Sequence, residues 1–231
     1  GQVIETDGLK EELIDEGLPF LATSDTEVIL RSIQRYAKEP LEVAIRKGMK
    51  PIRGAYSVLL LTDHSLAAFR DPHGIRPLCI GKLDEKTFVF SSETCALDAV
   101  GAEFIRDVEP GEIVVADNEG LHSYSLGQSG KSSICSFEYV YFARPDSNIQ
   151  GTEIYNLRVR SGKKLYEQSP VEADVVIGVP DSGVPSAIGY SEASGIPFEP
   201  ILVKNRYMSR SFIVPSQKLR ERIVNLKLNP I

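Results

Sequence analysis

The stretch VIGVPDSGVPSAIGY, residues 176–190, places a carboxylate, a hydroxyl and a glycine between an apolar run and a helix-like segment. In a parallel sheet, ligands bind outside the carboxyl ends of the strands, and Asp181, Ser182 and Gly183 follow such a predicted strand. The N–H groups at the start of the next helix suit an anion such as phosphate. The alternative is an ordinary helix start, because Asp or Ser followed by Pro is a common N-terminal signal. The motif alone leaves both interpretations open.

A second group of reactive side chains lies in KNRYMSRSFIVPSQKLRER, residues 204–222, where cations concentrate in an otherwise acidic chain. The first three of these cations are Lys204, Arg206 and Arg210. Apolar residues without a helical period are interleaved with them: Tyr207, Phe212 and Ile213. A solvated basic helix is the alternative. Turn formers, cations and aromatics beside a phosphate-type loop predict a lid that closes over a polyphosphate.

Composition excludes several classes of protein. The chain has 231 residues, 42% of them hydrophobic and 25% charged, which is typical of a soluble globular protein. A net charge of −6 argues against sequence-independent binding of nucleic acid. No apolar run has the length of a membrane span, so no membrane partner is expected. Three scattered cysteines without a CxxC pair indicate a reducing compartment, and we therefore predict a cytoplasmic location.

The elements that must position these residues follow two different patterns. Before residue 54, apolar periodicity predicts helices at 6–16, after Ser24 or Asp25, and at 41–49. From residue 54 onward, short β-rich runs predict antiparallel strands with one small helix, ETCALDAVGA, between them. The runs are GAYSVLLLTD, SLAAFRD, PLCIGKL, TFVFSSE and EIVVADN. This pattern indicates an α+β domain.

The segment PDSNIQG, residues 145–151, carries the strongest linker signal in the chain. After it, the pattern reads helix, buried strand, helix and strand, which predicts a right-handed βαβ unit with a parallel sheet. We therefore predict an α+β domain over residues 1–147 and an α/β domain over residues 148–231.

Six motifs in chain order resemble those of the amidophosphoribosyltransferase (glutamine phosphoribosyl-pyrophosphate amidotransferase) family. They are SDTEV, RDPHGIRPL, SSETCALD, ICSFEYVYFARPDSNI, GVPDSG and KNRYMSRSFIVPSQ. The resemblance implies a glutaminase domain of the N-terminal-nucleophile type, an αββα sandwich, over residues 1–147. It implies the start of a type I phosphoribosyltransferase domain with a parallel sheet over residues 148–231.

The reaction that the resemblance implies is the first committed step of de novo purine synthesis. Glutamine amide nitrogen, channelled as ammonia, attacks C1 of phosphoribosyl pyrophosphate and gives 5-phosphoribosylamine, pyrophosphate and glutamate. The family's nucleophile is an N-terminal cysteine that no residue here matches, and the long phosphoribosyl-pyrophosphate signature is also missing. We therefore expect these residues alone to be inactive.

Roles for individual residues follow from the same resemblance. Gly1 matches a glutamine-site glycine of the oxyanion hole, and Asp25 matches the carboxylate that binds the α-ammonium group of glutamine. A plain helix N-cap is the other interpretation of Asp25, and both can hold at the same time. Ser182 matches a Mg²⁺ contact. The residues implied to bind phosphoribosyl pyrophosphate are Asp181, Ser182, Gly183, Lys204, Arg206 and Arg210. The residues expected to line the ammonia channel are Tyr207, Phe212 and Ile213.

Further partners and cofactors are also implied. Cys135 matches one of four thiolate ligands of a 4Fe–4S cluster that some members carry, whereas Cys79 and Cys95 read as buried apolar residues.

Arg70, Asp71 and Arg76 are interpreted as an ion-pair set near the glutamine pocket. The family is feedback-inhibited by purine nucleotides and forms homo-oligomers, so a dimer or tetramer is expected.

Two alternative functions stay open on the sequence alone. The chain could belong to a non-catalytic phosphoribosyl-pyrophosphate-binding regulator with a relic glutaminase domain. A different amidotransferase that shares only the first domain is disfavoured, because KNRYMSRSFIVPSQ lies outside that domain.

Overall fold

The computed structural model describes residues 1–127, 130–207 and 215–231. The chain divides into two compact units, Gly1–Glu138 and Tyr139–Ile231. This packing boundary precedes the PDSNIQG segment, and the assignment of the predicted domains to 1–147 and 148–231 remains a prediction. Among the helices described, none has the length and apolarity needed to cross a membrane.

The first unit alternates helices with antiparallel strands. Its opening part contains β1 (Gln2–Ile4), α1 (Asp7–Asp15), α2 (Asp25–Gln34), α3 (Leu41–Met49) and β2 (Arg53–Ala55). The strands and the single helix that follow are β3 (Ser57–Leu61), β4 (Leu66–Arg70), β5 (Cys79–Lys82), β6 (Phe88–Ser91), α4 (Thr94–Val100), β7 (Glu103–Asp107), β8 (Glu112–Asp117) and β9 (Gly120–Ser125).

Two sheets form the middle of this unit, with strand orders β3-β4-β8-β9 and β6-β5-β7. Phe69 and its neighbours on one face of the first sheet pack against α2 and α3. Ala68 and Val114 on the opposite face pack against Ile80 of the second sheet. On the far side of β5, Cys79 packs against Leu97 of α4. Successive side chains of these strands point to opposite faces of their sheet, so each sheet packs on both sides. The resulting layer order is helix, sheet, sheet, helix, as the resemblance implied for this part of the chain.

Helix α2 begins at an N-cap that the sequence left ambiguous. The Ser24 hydroxyl accepts the Glu27 N–H, and the Glu27 carboxylate accepts the N–H groups of Leu21 and Ala22. Ser24 is therefore the cap. Asp25 is the first helical residue, so the N-cap alternative for Asp25 is wrong.

The predicted strand over residues 54–63 is two strands, β2 and β3, which are separated at Tyr56. Three further strands of the first unit were not predicted. β1 has only three residues, and β7 and β9 carry polar residues on partly exposed positions, which weakens the apolar alternation.

The second unit is built around two closely packed helices, α5 (Ile154–Gln168) and α6 (Val184–Ser194). It also contains β10 (Asn148–Ile149), β11 (Thr152–Glu153), β12 (Leu202–Lys204), α7 (Gln217–Lys227) and β13 (Leu228–Pro230), and the five-residue π-helix Glu138–Phe142 leads into it. The two helices predicted after the PDSNIQG segment are observed as α5 and α6. The predicted strands give one parallel bridge, Val176 to Phe198, and the short β12, which pairs antiparallel with β13.

One buried carboxylate stabilises the seven-strand region of the first unit. Glu112 on β8 accepts two hydrogen bonds from the Arg106 guanidinium, at 2.7 and 2.8 Å, and one from the Ser123 hydroxyl. Burial opposes ionisation of Glu112, but hydrogen bonds from Arg106 and Ser123 outweigh it and lower the pKa of this carboxyl. The ionised Glu112 carboxylate, held by Arg106 and Ser123, therefore stabilises the fold.

Replacing Glu112 by Gln should lower the free energy of unfolding at pH 7 by about 1–3 kcal/mol. Because the folded pKa is depressed, the stabilisation is fully present above the unfolded pKa of about 4.3 and is lost as the pH falls below it. Denaturant midpoints at pH 7 and pH 3.5 (roughly one pH unit below that pKa) should show the variant's deficit shrinking in acid. The exposed Glu103, which lies 3.8 Å from Lys82, is the control, since Glu103→Gln should change stability by less than about 0.5 kcal/mol. An equal deficit at both pH values would contradict this account of Glu112.

Candidate active sites

A cavity of about 110 Å³ opens in the first unit between the start of the chain and the N-terminus of α2. Strand β1 pairs with β2 so that Gln2 lies opposite Ala55, and this pairing brings Gly1 to the cavity wall. A Cβ atom on Gly1 would lie 2.3 Å from the carbonyl oxygen of Ala55. Only glycine fits this position without movement of the backbone.

Asp25, at the N-terminus of α2, also lines this cavity. Its Oδ2 atom accepts a long hydrogen bond of 3.4 Å from the Val3 N–H, and the residue is exposed. A carboxylate that faces a small cavity beside a glycine backbone suits a ligand with an ammonium group. The structure thus brings together Gly1 and Asp25, the two residues expected at the glutamine site, while their roles toward glutamine remain predictions.

The turn after β4 contacts the same cavity wall. The Arg70 guanidinium donates to the carbonyl oxygens of Gly74, Arg76 and Val108 at 2.6 to 2.7 Å. The Asp71 carboxylate accepts the N–H group of Tyr56 in the cavity wall and those of His73 and Ile75 in the turn. Arg76 forms an ion pair with Glu138 at 2.5 Å. The expected ion-pair set is therefore largely a network between side chains and backbone, in which Arg76 makes an ion pair with a residue that the sequence did not suggest.

A cavity of about 340 Å³ lies in the second unit. Three residues expected to bind phosphoribosyl pyrophosphate meet on its wall, namely Asp181, Ser182 and Lys204. Three further cations also line it, and sequence reasoning gave them no role: Arg144, Arg158 and Lys227. Cations that outnumber carboxylates in a concave site favour a polyanionic ligand.

The loop between the predicted strand and α6 is held by specific contacts. Asp181 forms an ion pair with Lys204, and the Pro180–Asp181 peptide bond is cis. Gly183 is the N-cap of α6, and no side chain caps this helix. The alternative that Asp181 or Ser182 serves as an ordinary helix cap is therefore wrong, and both side chains line the cavity instead.

Arg158 is the most buried cation of this cavity, with 2% of its surface exposed. Its guanidinium donates to the carbonyl oxygens of Tyr139 and Ala143 at 2.8 Å each. These bonds fix the end of the π-helix, which places Tyr141 and Phe142 on the cavity wall. The sequence did carry a signal, because Arg158 lies on the i, i+4, i+8 stripe with Ile154 and Gly162, where an apolar residue is expected.

The remaining predicted residues lie elsewhere. Arg206 and Tyr207 are exposed in a turn after β12 and do not line this cavity, and Tyr207 is 98% exposed. Arg210, Phe212 and Ile213 lie outside the described residues. The predictions of a lid and of an ammonia channel therefore stay predictions.

Cys135 is partly buried, and its N–H donates to the Ile75 carbonyl oxygen at 3.0 Å. No group of three His, Cys, Asp or Glu side chains among the residues described could hold a metal ion. Cys79 and Cys95 are buried as expected, and burial raises the pKa of the Cys79 thiol to about 12. These residues therefore do not form a cluster site by themselves.

Comparison with known proteins first concerns the N-terminal part of the chain. A family model described as "Glutamine amidotransferase domain" matches residues 1–99. This match includes Gly1, Asp25 and the Asp71 turn, and all residues that line the first cavity lie within it.

Relatives cover the whole chain. Amidophosphoribosyltransferase of Bacillus subtilis (strain 168) is 46% identical over 231 residues, which are 100% of this chain and 48% of that protein. The Archaeoglobus fulgidus protein of the same name is 43% identical over 233 residues, covering 100% of this chain and 51% of its own length. The chain thus spans about half the length of these relatives, and over its whole length it is similar to amidophosphoribosyltransferases.

A solved structure shows the same similarity. It is described as the glutamine phosphoribosylpyrophosphate amidotransferase from B. subtilis complexed with ADP and GMP. Its TM-score is 0.89 and its sequence identity 45%, and the match covers 99% of this chain and 50% of that chain.

Proposed function

We propose that this chain takes part in the amidophosphoribosyltransferase reaction, with glutamine bound in the first unit and phosphoribosyl pyrophosphate in the second. The observation that carries the proposal is the pair of cavities, each of which gathers the residue types expected from its own motif. The identity of 46% to a relative of that name, over all 231 residues, supports it.

In the glutamine half, Asp25 binds the α-ammonium group of the substrate and holds the amide in one orientation. The backbone at Gly1 contributes to the oxyanion hole, where a donor stabilises the charge that develops on the amide oxygen. The family's nucleophile is an N-terminal cysteine, which attacks the amide carbon and releases ammonia. None of the three cysteines of this chain takes that role.

In the phosphoribosyl half, the loop at Asp181 and Ser182 holds the pyrophosphate group. One hydroxyl and one carboxylate beside Lys204 are oxygen donors that suit Mg²⁺ when substrate phosphates complete its coordination. When bound there, Mg²⁺ would supply positive charge that neutralises the leaving pyrophosphate. Lys204 can exchange its Asp181 partner for a phosphate oxygen, and Arg158 keeps the facing wall in place.

Further partners are also part of this proposal. The solved relative is complexed with ADP and GMP, which supports purine nucleotides as feedback inhibitors of this protein too. A homo-oligomer and a type I phosphoribosyltransferase domain with a parallel sheet are inferred from the family. The single parallel bridge between Val176 and Phe198 is consistent with such a sheet. A 4Fe–4S cluster would take one thiolate from Cys135 and three ligands that the described residues do not supply.

The phosphoribosyl site can be tested with Ser182→Ala in the complete protein. The variant should lower kcat/KM for phosphoribosyl pyrophosphate about 10- to 100-fold with glutamine and with ammonia alike, because a Mg²⁺-diphosphate contact is lost. Ser186 lies in α6 and does not line the cavity, so Ser186→Ala should leave kcat/KM unchanged with glutamine and with ammonia. Pyrophosphate release at several Mg²⁺ concentrations is the measurement. Wild-type rates in Ser182→Ala would reject this assignment of the cavity.

A further inference from the structure

The β-sheet hydrogen bonding is interrupted at Tyr56, which lies between strands β2 and β3. The preceding strand β2 pairs with β1, whereas the following strand β3 pairs with β4. Tyr56 belongs to neither strand and is only 3% exposed. A buried backbone N–H at such a break needs a partner from outside the ladders.

Asp71 supplies that partner. Its Oδ2 atom accepts the Tyr56 N–H at 3.2 Å, and its own N–H donates to the Tyr56 carbonyl oxygen at 2.9 Å. The next residue of the wall is fastened to the same turn, since the Ser57 hydroxyl donates to the Arg76 carbonyl oxygen at 3.1 Å. The break is therefore bound on both sides to the turn that follows β4.

The same carboxylate organises the turn itself. Oδ1 accepts the His73 N–H at 2.9 Å, and Oδ2 also accepts the Ile75 N–H at 3.0 Å. The buried Arg70 closes the turn by donating to the Gly74 and Arg76 carbonyl oxygens. Asp71 is fully buried, and its two oxygens accept three backbone N–H groups.

We infer that Asp71 is a positioning residue of the cavity that contains Gly1 and Asp25. Tyr56 and Ser57 line that cavity, whereas Asp71 does not. Asp71 fixes the backbone of Tyr56, and the turn that it organises accepts the Ser57 hydroxyl. With the wall at Tyr56 and Ser57 held in place, the cavity keeps the shape in which Gly1 and Asp25 both contact one ligand, an α-amino acid with a side-chain amide. This inference rests on the proposed glutaminase function.

The network requires a carboxylate. An ionised carboxylate is an acceptor at both oxygens, whereas an asparagine offers one carbonyl oxygen and an NH2 group that only donates. With Asn at position 71, one set of backbone N–H groups would face a donor. The Tyr56 wall or the turn must then move, although the side chain keeps its shape.

The test compares Asp71→Asn with Asp84→Asn in the complete protein. Asp84 accepts the N–H groups of Lys86 and Thr87 in an exposed turn between β5 and β6, so it loses similar bonds away from the cavity. Asp71→Asn should raise the KM for glutamine about tenfold or more, with ammonia-dependent kcat within about twofold of wild type. Asp84→Asn should change neither constant. Thermal unfolding of each variant separates these effects from lost folding.

An unchanged KM for glutamine in Asp71→Asn, or equal loss of both activities, would overturn the inference. If Asp71→Asn fails to fold, Ser57→Ala releases the same wall more gently and should raise the KM about threefold; an unchanged KM there would overturn it as well. A wild-type protein without glutamine-dependent synthesis would instead refute the proposed function, before any variant is compared.

Discussion

Replacing Asp25 by Ala in the complete protein should raise the KM for glutamine about 30- to 700-fold and leave ammonia-dependent synthesis within about twofold of wild type. The α-ammonium group would lose its charged hydrogen-bond partner, which is worth about 2–4 kcal/mol, and 1.4 kcal/mol corresponds to a factor of ten. The structure supports this specificity, because Asp25 lines the cavity and the helix cap is Ser24.

Asp7→Ala is the matched control, since Asp7 is likewise an exposed acidic residue at the start of a helix, here α1. It should leave both activities unchanged. Initial rates at varied glutamine and at varied ammonia distinguish the outcomes. A parallel decline of both activities in Asp25→Ala would show that Asp25 serves the fold and not the substrate.

A second large effect is expected from Gly189→Ala on α6. A Cβ atom at Gly189 would lie 1.9 Å from the Val159 carbonyl oxygen, and one at Gly162 would lie 1.9 Å from the Ser186 carbonyl oxygen. These neighbours are backbone atoms of α5 and α6, so no side-chain rotation can make room. The helices must separate, which should lower the free energy of unfolding by about 3 kcal/mol or more.

Because α6 begins directly after the loop at Asp181 and Ser182, its displacement should also remove phosphoribosyl-pyrophosphate binding. Gly8→Ala is the control: Gly8 lies in α1 with open space around it, and the change should be neutral or slightly stabilising. Unfolding midpoints and pyrophosphate release are the measurements. A Gly189→Ala protein with wild-type stability would show that the two backbones are not in contact.

The sequence predicted elements whose signal is local. Strands β4 and β8 are short, nearly continuous apolar runs, and helices α5 and α6 lie between turn residues, so each was found from its own residues. The PDSG loop and the SDTE cap region were recognised for the same reason. The β2–β3 break at Tyr56 was missed, because neither residue types nor periodicity mark it.

Residues that act through the backbone of distant segments were not predictable in this way. Arg158 interrupts the apolar stripe of its helix, which indicates burial but not its partners, the carbonyl oxygens 15 and 19 residues earlier. Asp71 reads as part of an ion-pair set, yet its partners are N–H groups. Such contacts depend on which segments the fold brings together, which no local pattern contains.

The claim that two separate sites serve two halves of one reaction is tested most directly by a crossed assay. Phosphoribosylamine formation by the complete protein is measured with glutamine and with ammonia, in wild type, Asp25→Ala and Ser182→Ala. Asp25→Ala should lose only the glutamine-dependent rate, whereas Ser182→Ala should lose both rates together. Loss of only the glutamine-dependent rate in Ser182→Ala, or of both rates in Asp25→Ala, would contradict the assignment of the two cavities.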